Sequence, residues 1–286
     1  MDLQLGGQVI VNGVVLSLMY ILIGLGLGAV FSILRVVSFA HGVIYMFGAY
    51  VTWMLVTWVG MHYLIALPLA IVVVFLFGLA LERVLWHPIL DTPMACLIMS
   101  LGLLFVIEGG VAAIFGEKSK SLATQFPGLL DMGGVYLSVE RLVMVGISVA
   151  IVVAVLLFLQ NHKQGQAMRA VTDNPEVAAL QGIPVRRIQM IGFGITCALA
   201  AAGGGLAASI LTISPTMGGA PLFKAFIVVV LGGLGSIPGV IVAGFVMGFI
   251  DSFGLTLIGR VASLLGFVIF VLVLLIRPRG IMGYEA

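Results

Sequence analysis

Apolar runs of about 20 residues recur along the chain between short polar links, the length an α-helix needs to cross a bilayer core. They place spans at about 9–33, 36–58, 64–85, 94–115, 142–159 and 188–213. The last third is less regular: 223–231 is too short to cross unaided and ends in GGLGSIPG, and runs at 240–253 and about 261–276 follow. The pattern predicts an all-α polytopic membrane protein, one domain over 1–286, with about eight transmembrane helices plus one short or broken helix. Alternation in segments of about ten residues, the β-barrel signature, is absent.

Composition strengthens this reading. Of 286 residues 62% are apolar and 8% charged, against roughly 25% charged in soluble domains. Mean hydropathy is +1.29, more apolar surface than a soluble core of this size can hide. The 38 glycines suit close helix contact, as does AAAGGGLAAS in the sixth span; Gly24, Gly26 and Gly28 do the same for the first. Cys96 and Cys197 lie in separate apolar runs without metal or redox spacing and read as small buried hydrophobes. MDLQLGGQ lacks a basic flank and a cleavage site, so the first run reads as a retained span.

Charge matters by placement. Arg35, Arg83, Lys163, Arg169, Arg186, Arg187, Arg277 and Arg279 fall on one side under alternation of spans, and the mixed-charge loop 117–141 on the other. The positive-inside bias then puts the N-terminus outside and the C-terminus in the cytoplasm.

The one long polar stretch, 160–187, contains a compact helix signal. Asn174 suits a cap, Pro175 the first helical position, Glu176 the positive dipole end and Gly182 a left-handed stop. Val177 and Leu180 are three apart and share a face. Two turns are marginal alone in water, so the segment is either a solvated link or a helix that docks in a partner's groove; the caps favour docking.

Candidate chemistry is sparse. SFAHG interrupts an apolar run with Ser38, His41 and Gly42, which suits an unwound segment facing a cavity or an interfacial turn with His41 bonded to a carbonyl. A Gly-Val-Ile onset follows this break at Gly42 and the later break at Gly239; as an internal repeat, it would mark two interrupted helices on one path. Glu82 and Arg83 are adjacent and point to different helix sides. Glu108 lies within the fourth span, where an acid is costly unless protonated, paired or near water. Glu108, Asp251 and His41 are scattered, which weakens an ion- or proton-coupled carrier, the alternative function class. HExxH, G-x-S-x-G and G-x-x-x-x-G-K-[ST] do not occur, which argues against an enzyme and against nucleotide hydrolysis by this chain.

Four ordered blocks carry a resemblance. NGVVLSLMYILIGLGLGAVFSILRVVSFAHGVIYMFGAY, GQAMRAVTDNPEVAALQGIPVRRI, KAFIVVVLGGLGSIPGVIVAG and RPRGIMG together resemble the FAHG-containing permease subunits of branched-chain amino-acid importers of the ATP-binding-cassette class. The resemblance implies a permease fold in a bacterial inner membrane, paired with a second homologous permease. It further implies two cytoplasmic ATPase subunits that carry ATP and Mg²⁺, and a periplasmic solute-binding protein. No cofactor would sit on this chain, and nucleic acid is not a partner. The central loop becomes a coupling helix, with Gly165, Arg169, Asp173, Pro175, Glu176, Val177, Leu180 and Gly182 at the ATPase contact. Asn12, Phe39, His41, Gly42, Gly232, Gly233, Gly235 and Ser236 become the translocation path. The cargo would be branched-chain or related hydrophobic amino acids, although similar importers carry amides, urea or aromatic acids. Glu108, where a neutral polar residue is expected, and Arg260 depart from the family pattern.

Overall fold

A computed structural model describes all residues except 1–2, 37, 132–135, 260–261, 278–279 and 284–286. Arg260, Arg279 and the turn expected at Gly133 and Gly134 lie outside the described residues.

The chain is a helical bundle. Its elements are α1 (Leu3–Leu34), α2 (Ala40–Thr57), α3 (Tyr63–Leu81), α4 (Pro93–Phe115), α5 (Val139–Asn161), α6 (Lys163–Asp173), α7 (Pro175–Leu180), α8 (Val185–Ile210), α9 (Gly219–Gly232), α10 (Ile237–Ile258) and α11 (Ala262–Ile276). A π-helical turn, Glu82–Trp86, extends α3, and a small antiparallel hairpin of β1 (Leu129–Asp131) and β2 (Tyr136–Ser138) precedes α5. Among the described residues, seven helices are long and apolar enough to cross a membrane. Two shorter apolar helices, Gly219–Gly232 and Gly266–Ile276, complete the set among the described residues, so the expected eighth span is itself short there.

The centre is α1, flanked by α8, α9 and α10. Its glycines divide by helical spacing. A Cβ on Gly24 or Gly28, four apart, would meet Val228, Val229 and Val240 of α9 and α10, whereas one on Gly26 would meet the His41 ring and the Thr196 carbonyl. The small-residue run of α8 works likewise: Gly203 and Gly204 lie against Tyr45, Gly205 against Thr52 and Leu67, and Ala201 against Gly48. Removing Cβ atoms lets backbones approach, the main route to helix association where lipid supplies no hydrophobic drive. By contrast α4 and α5 keep most of their surface outward.

Polar contacts sort the bundle into two ends. At one end Arg141 donates to Asn12 Oδ1 at 2.6 Å, and Lys120 exchanges backbone hydrogen bonds with Ile213 while its ammonium lies 5.0 Å from the Trp53 ring centroid. At the other, Arg35 reaches the Thr172 carbonyl, Arg186 pairs with Asp91 at 3.1 Å, and the α6–α7 hairpin and the tail at Ile281 gather. The loop containing Lys120 and Arg141 and the basic residues Arg35 and Arg186 thus lie at opposite ends of the bundle.

Candidate functional sites: the polar hairpin and the helix breaks

The polar stretch folds as two helices. Asn174 Oδ1 accepts from the N–H groups of Glu176 (3.0 Å) and Val177 (3.1 Å), which caps α7. At the far end Gly182 takes φ +80°, the Gly182 N–H donates to Ala179 and the Ile183 N–H to Ala178, a Schellman closure. Ala178 turns inward onto a small cluster with Ile33, Met168, Val171 and Ile188. Leu180 is left 88% and Val177 49% exposed. Asp173, Glu176 and Gly182 are exposed too, and Pro175 is half-buried. The sequence reading missed α6, an amphipathic helix that buries Gly165, Met168 and Val171 at intervals of three. Gly165 lies against the backbone of Phe158 and Leu159, so it lets α6 fold back on α5 and does not reach the outer surface.

Arg169 and Asp173 also line a cavity of about 520 Å³ with Ser32, Leu156, Gly235 and Ser236. Two groups of residues that the sequence treats separately, the hairpin and the late glycine break, therefore meet at one end of the bundle. Gly233 and Gly235 take φ of +101° and +88°, which only glycine adopts readily. Ser236 Oγ accepts from the Gly239 N–H and caps α10, and the tail N–H groups of Ile281 and Met282 donate to the carbonyls of Leu231 and Gly232. The cap and the tail thus tie both sides of this break.

The first break is of another kind. Arg35 ends α1 with φ +55°, and α2 starts at Ala40. His41 is inside the first turn of α2, 1% exposed, with its ring against Gly26 and Nε2 donating to the Ile23 carbonyl at 3.2 Å. Of the two sequence readings for His41, the carbonyl bond is present, but in the packed interior and not at an interface. The unwound part is the segment before Ala40. Phe39 N–H donates to Ser100 Oγ on α4, and Ser38 Oγ, 1% exposed, has no hydrogen-bond partner among the described residues. Gly42 does not approach the Gly232–Ser236 break; its neighbours are Gly218 and Leu222 at the start of α9.

One charged cluster was not legible as such. Asp251, read from the sequence as an isolated acid, is paired: Lys224 Nζ lies 2.8 Å from both carboxylate oxygens, and Tyr20 donates to Oδ2 at 2.6 Å. Lys224 and Asp251 are 27 residues apart on α9 and α10, and only a lone lysine beside an apolar run hinted at the need for a partner. Asn12 serves as the acceptor for Arg141. Glu82 points inward with Arg83 outward; its buried carboxylate is 3.7 Å from His87 Nδ1. Glu108 is half-buried on the outward-facing α4. Among the described residues no group of three His, Cys, Asp or Glu is placed to hold a metal ion.

Comparison with known proteins adds an independent line. The family described as branched-chain amino acid transport system / permease component matches residues 9–277. The high-affinity branched-chain amino acid transport system permease protein BraD of Pseudomonas aeruginosa is 31% identical over 296 residues, covering 96% of this chain and 95% of its own. Its counterpart LivH of Escherichia coli K12 is 30% identical, with 96% and 95% covered, and LivH of Salmonella typhimurium 29%. No solved structure matches.

Proposed function

We propose a function from one premise: the chain belongs to the permease-component family of branched-chain amino acid transport systems. It is a membrane transport subunit of an ATP-binding-cassette importer for branched-chain or related apolar amino acids. It works with a second homologous permease, two cytoplasmic ATPases that bind ATP and Mg²⁺, and a periplasmic binding protein. The N-terminus is periplasmic, and the α6–α7 end and the C-terminus are cytoplasmic in a bacterial inner membrane. The observation that supports this most is α7, a two-turn helix locked at both ends that holds Leu180 88% exposed at the end of the bundle where Arg35 and Arg186 gather. A knob transmits force only if it resists unwinding, and both caps supply that resistance.

Burying Leu180 in an ATPase groove contributes about 1.5–3 kcal/mol, and an unpaired charge placed there costs more than the lost contact. Leu180→Glu is expected to strip ATPase from the purified permease pair and abolish uptake, while Leu180→Met stays near wild type. Full ATPase retention and full transport by Leu180→Glu would reduce α7 to a linker.

A further inference from the structure

We infer that the facing starts of α2 and α9, with Ser38, form the subsite that receives the α-carboxylate of the transported amino acid. This rests on the reading of the chain as an amino-acid importer permease.

Depth is the first observation. His41 packs on Gly26 and bonds to Ile23, and α1 continues about two turns beyond them to Leu34, so α2 begins well inside the length of α1 and not at its end. The second half-helix begins at the same place. A Cβ on Gly42 would meet the Gly218 carbonyl at 2.6 Å and Leu222 at 2.8 Å, and the Phe39 and Phe226 ring centroids are 5.5 Å apart. Two helices, of 18 and 14 residues, thus bring their N-terminal ends together inside the membrane.

Each such end carries about half a positive charge on N–H groups that no earlier turn takes up. Two like ends in a region of low dielectric repel unless an anion sits between them. None of the acids described above serves: Asp251 is held by Lys224 and Tyr20, and no carboxylate accepts a hydrogen bond from either start among the described residues. Donors are in place. Gly219 N–H is used by Thr216, Pro221 has none, and Ala220 N–H donates to no described residue. Ser38 Oγ, buried two residues before α2, also lacks a partner among the described residues.

The site also has an opening. Thr216, Gly219, Ala220 and Phe223 are exposed, and a side chain added at Gly219 would meet nothing within 4 Å. Irregular backbone at this depth is not tolerated against lipid, so this face borders a watered path. Discontinuous helices that aim N-termini at an anionic group are the membrane form of a helix-terminus anion site. The apolar side chain of the cargo then lies along Phe39, Leu222 and Phe226. The late break at Gly232–Ser236, tied by the Ser236 cap and the tail, is not the opposite wall of this subsite; the segment from Thr216 to Phe223 is.

The test is ATP-driven uptake of L-leucine by the complete complex with its binding protein in proteoliposomes. Four forms are compared: wild type, Ser38→Ala, Gly219→Asp and Gly219→Asn, each checked for assembly by size exclusion. Ser38→Ala is expected to lower uptake roughly tenfold, the scale of one hydrogen bond to a charged group. Gly219→Asp, a tethered carboxylate in the subsite, is expected to fall at least about tenfold below Gly219→Asn, which matches it in shape. Equal uptake by the Asp and Asn forms, or wild-type uptake by Ser38→Ala, overturns the subsite. If Gly219→Asp does not assemble, Ser38→Ala decides alone. Failure of the wild-type complex to move any amino acid under ATP overturns the importer reading and the subsite with it; uptake by wild type and variants alike overturns only the subsite.

Discussion

Two helices of this chain start with the same short pattern, a break followed by Gly-Val-Ile, and the structure makes them opposites. At α10 the break lies at one end of the bundle, beside the α6–α7 hairpin. Ser236 caps it and the tail closes over Leu231 and Gly232. At α2 the break lies within the length of α1, and Ser38 is buried without a partner among the described residues. Both onsets rely on a glycine pressed against another glycine's carbonyl, Gly239 on Gly232 and Gly42 on Gly218. Similar local sequence therefore gives a finished joint in one place and an unfinished one in the other. An unfinished polar joint in a membrane interior is stable only where a ligand, water or partner completes it.

The largest change that breaks this contrast acts through Lys224. The Lys224–Asp251 pair fixes α9 to α10 and, through Tyr20, to α1, which holds the start of α9 against α2. Lys224→Met leaves a buried carboxylate without its cation and is expected to cost about 3–5 kcal/mol, seen as a lower unfolding midpoint of the purified complex. The double change Lys224→Met with Asp251→Leu should recover most of that loss, because the uncompensated charge is gone. No recovery would mean the pair contributes more than mutual neutralisation.

A smaller pair of changes sharpens the contrast. Ser236→Ala removes a helix cap and is expected to destabilise by about 1 kcal/mol. Ser38→Ala removes no side-chain hydrogen bond to the described residues, so its unfolding midpoint should match wild type even though its uptake falls. Equal destabilisation by both would show that Ser38 has a protein partner and that the two joints are alike.

Much of the fold was legible because lipid imposes it. Span positions followed from apolar run length, and the roles of Gly24 and Gly28 and of the small residues from Ala201 to Gly205 followed from composition. The caps of α7 were readable because each is a local rule: Asn174 acts on bonds two and three residues on, and Gly182 on the turn it closes. What escaped depends on distant contact. Glycine at 165 and the polarity of the stretch hid α6, whose helicity depends on packing Met168 and Val171 against Ile33 and Ile188. SFAHG announced a break, but nothing in it says that the chain returns along α1 before Ala40, or that its neighbour is Gly218 and not Gly232. Lys224 met Asp251 only in three dimensions.

The most direct test of the account is water at the start of α9. A cysteine at Ala220, exposed and one residue past Gly219, is treated with a membrane-impermeant, charged thiol reagent in the assembled complex. The native Cys96 and Cys197 are fully buried and contribute little background. Rapid labelling, slowed by L-leucine delivered on the binding protein, is the predicted result. Labelling only by a lipid-soluble reagent, with the charged one inert, would place this face against the bilayer and contradict the account.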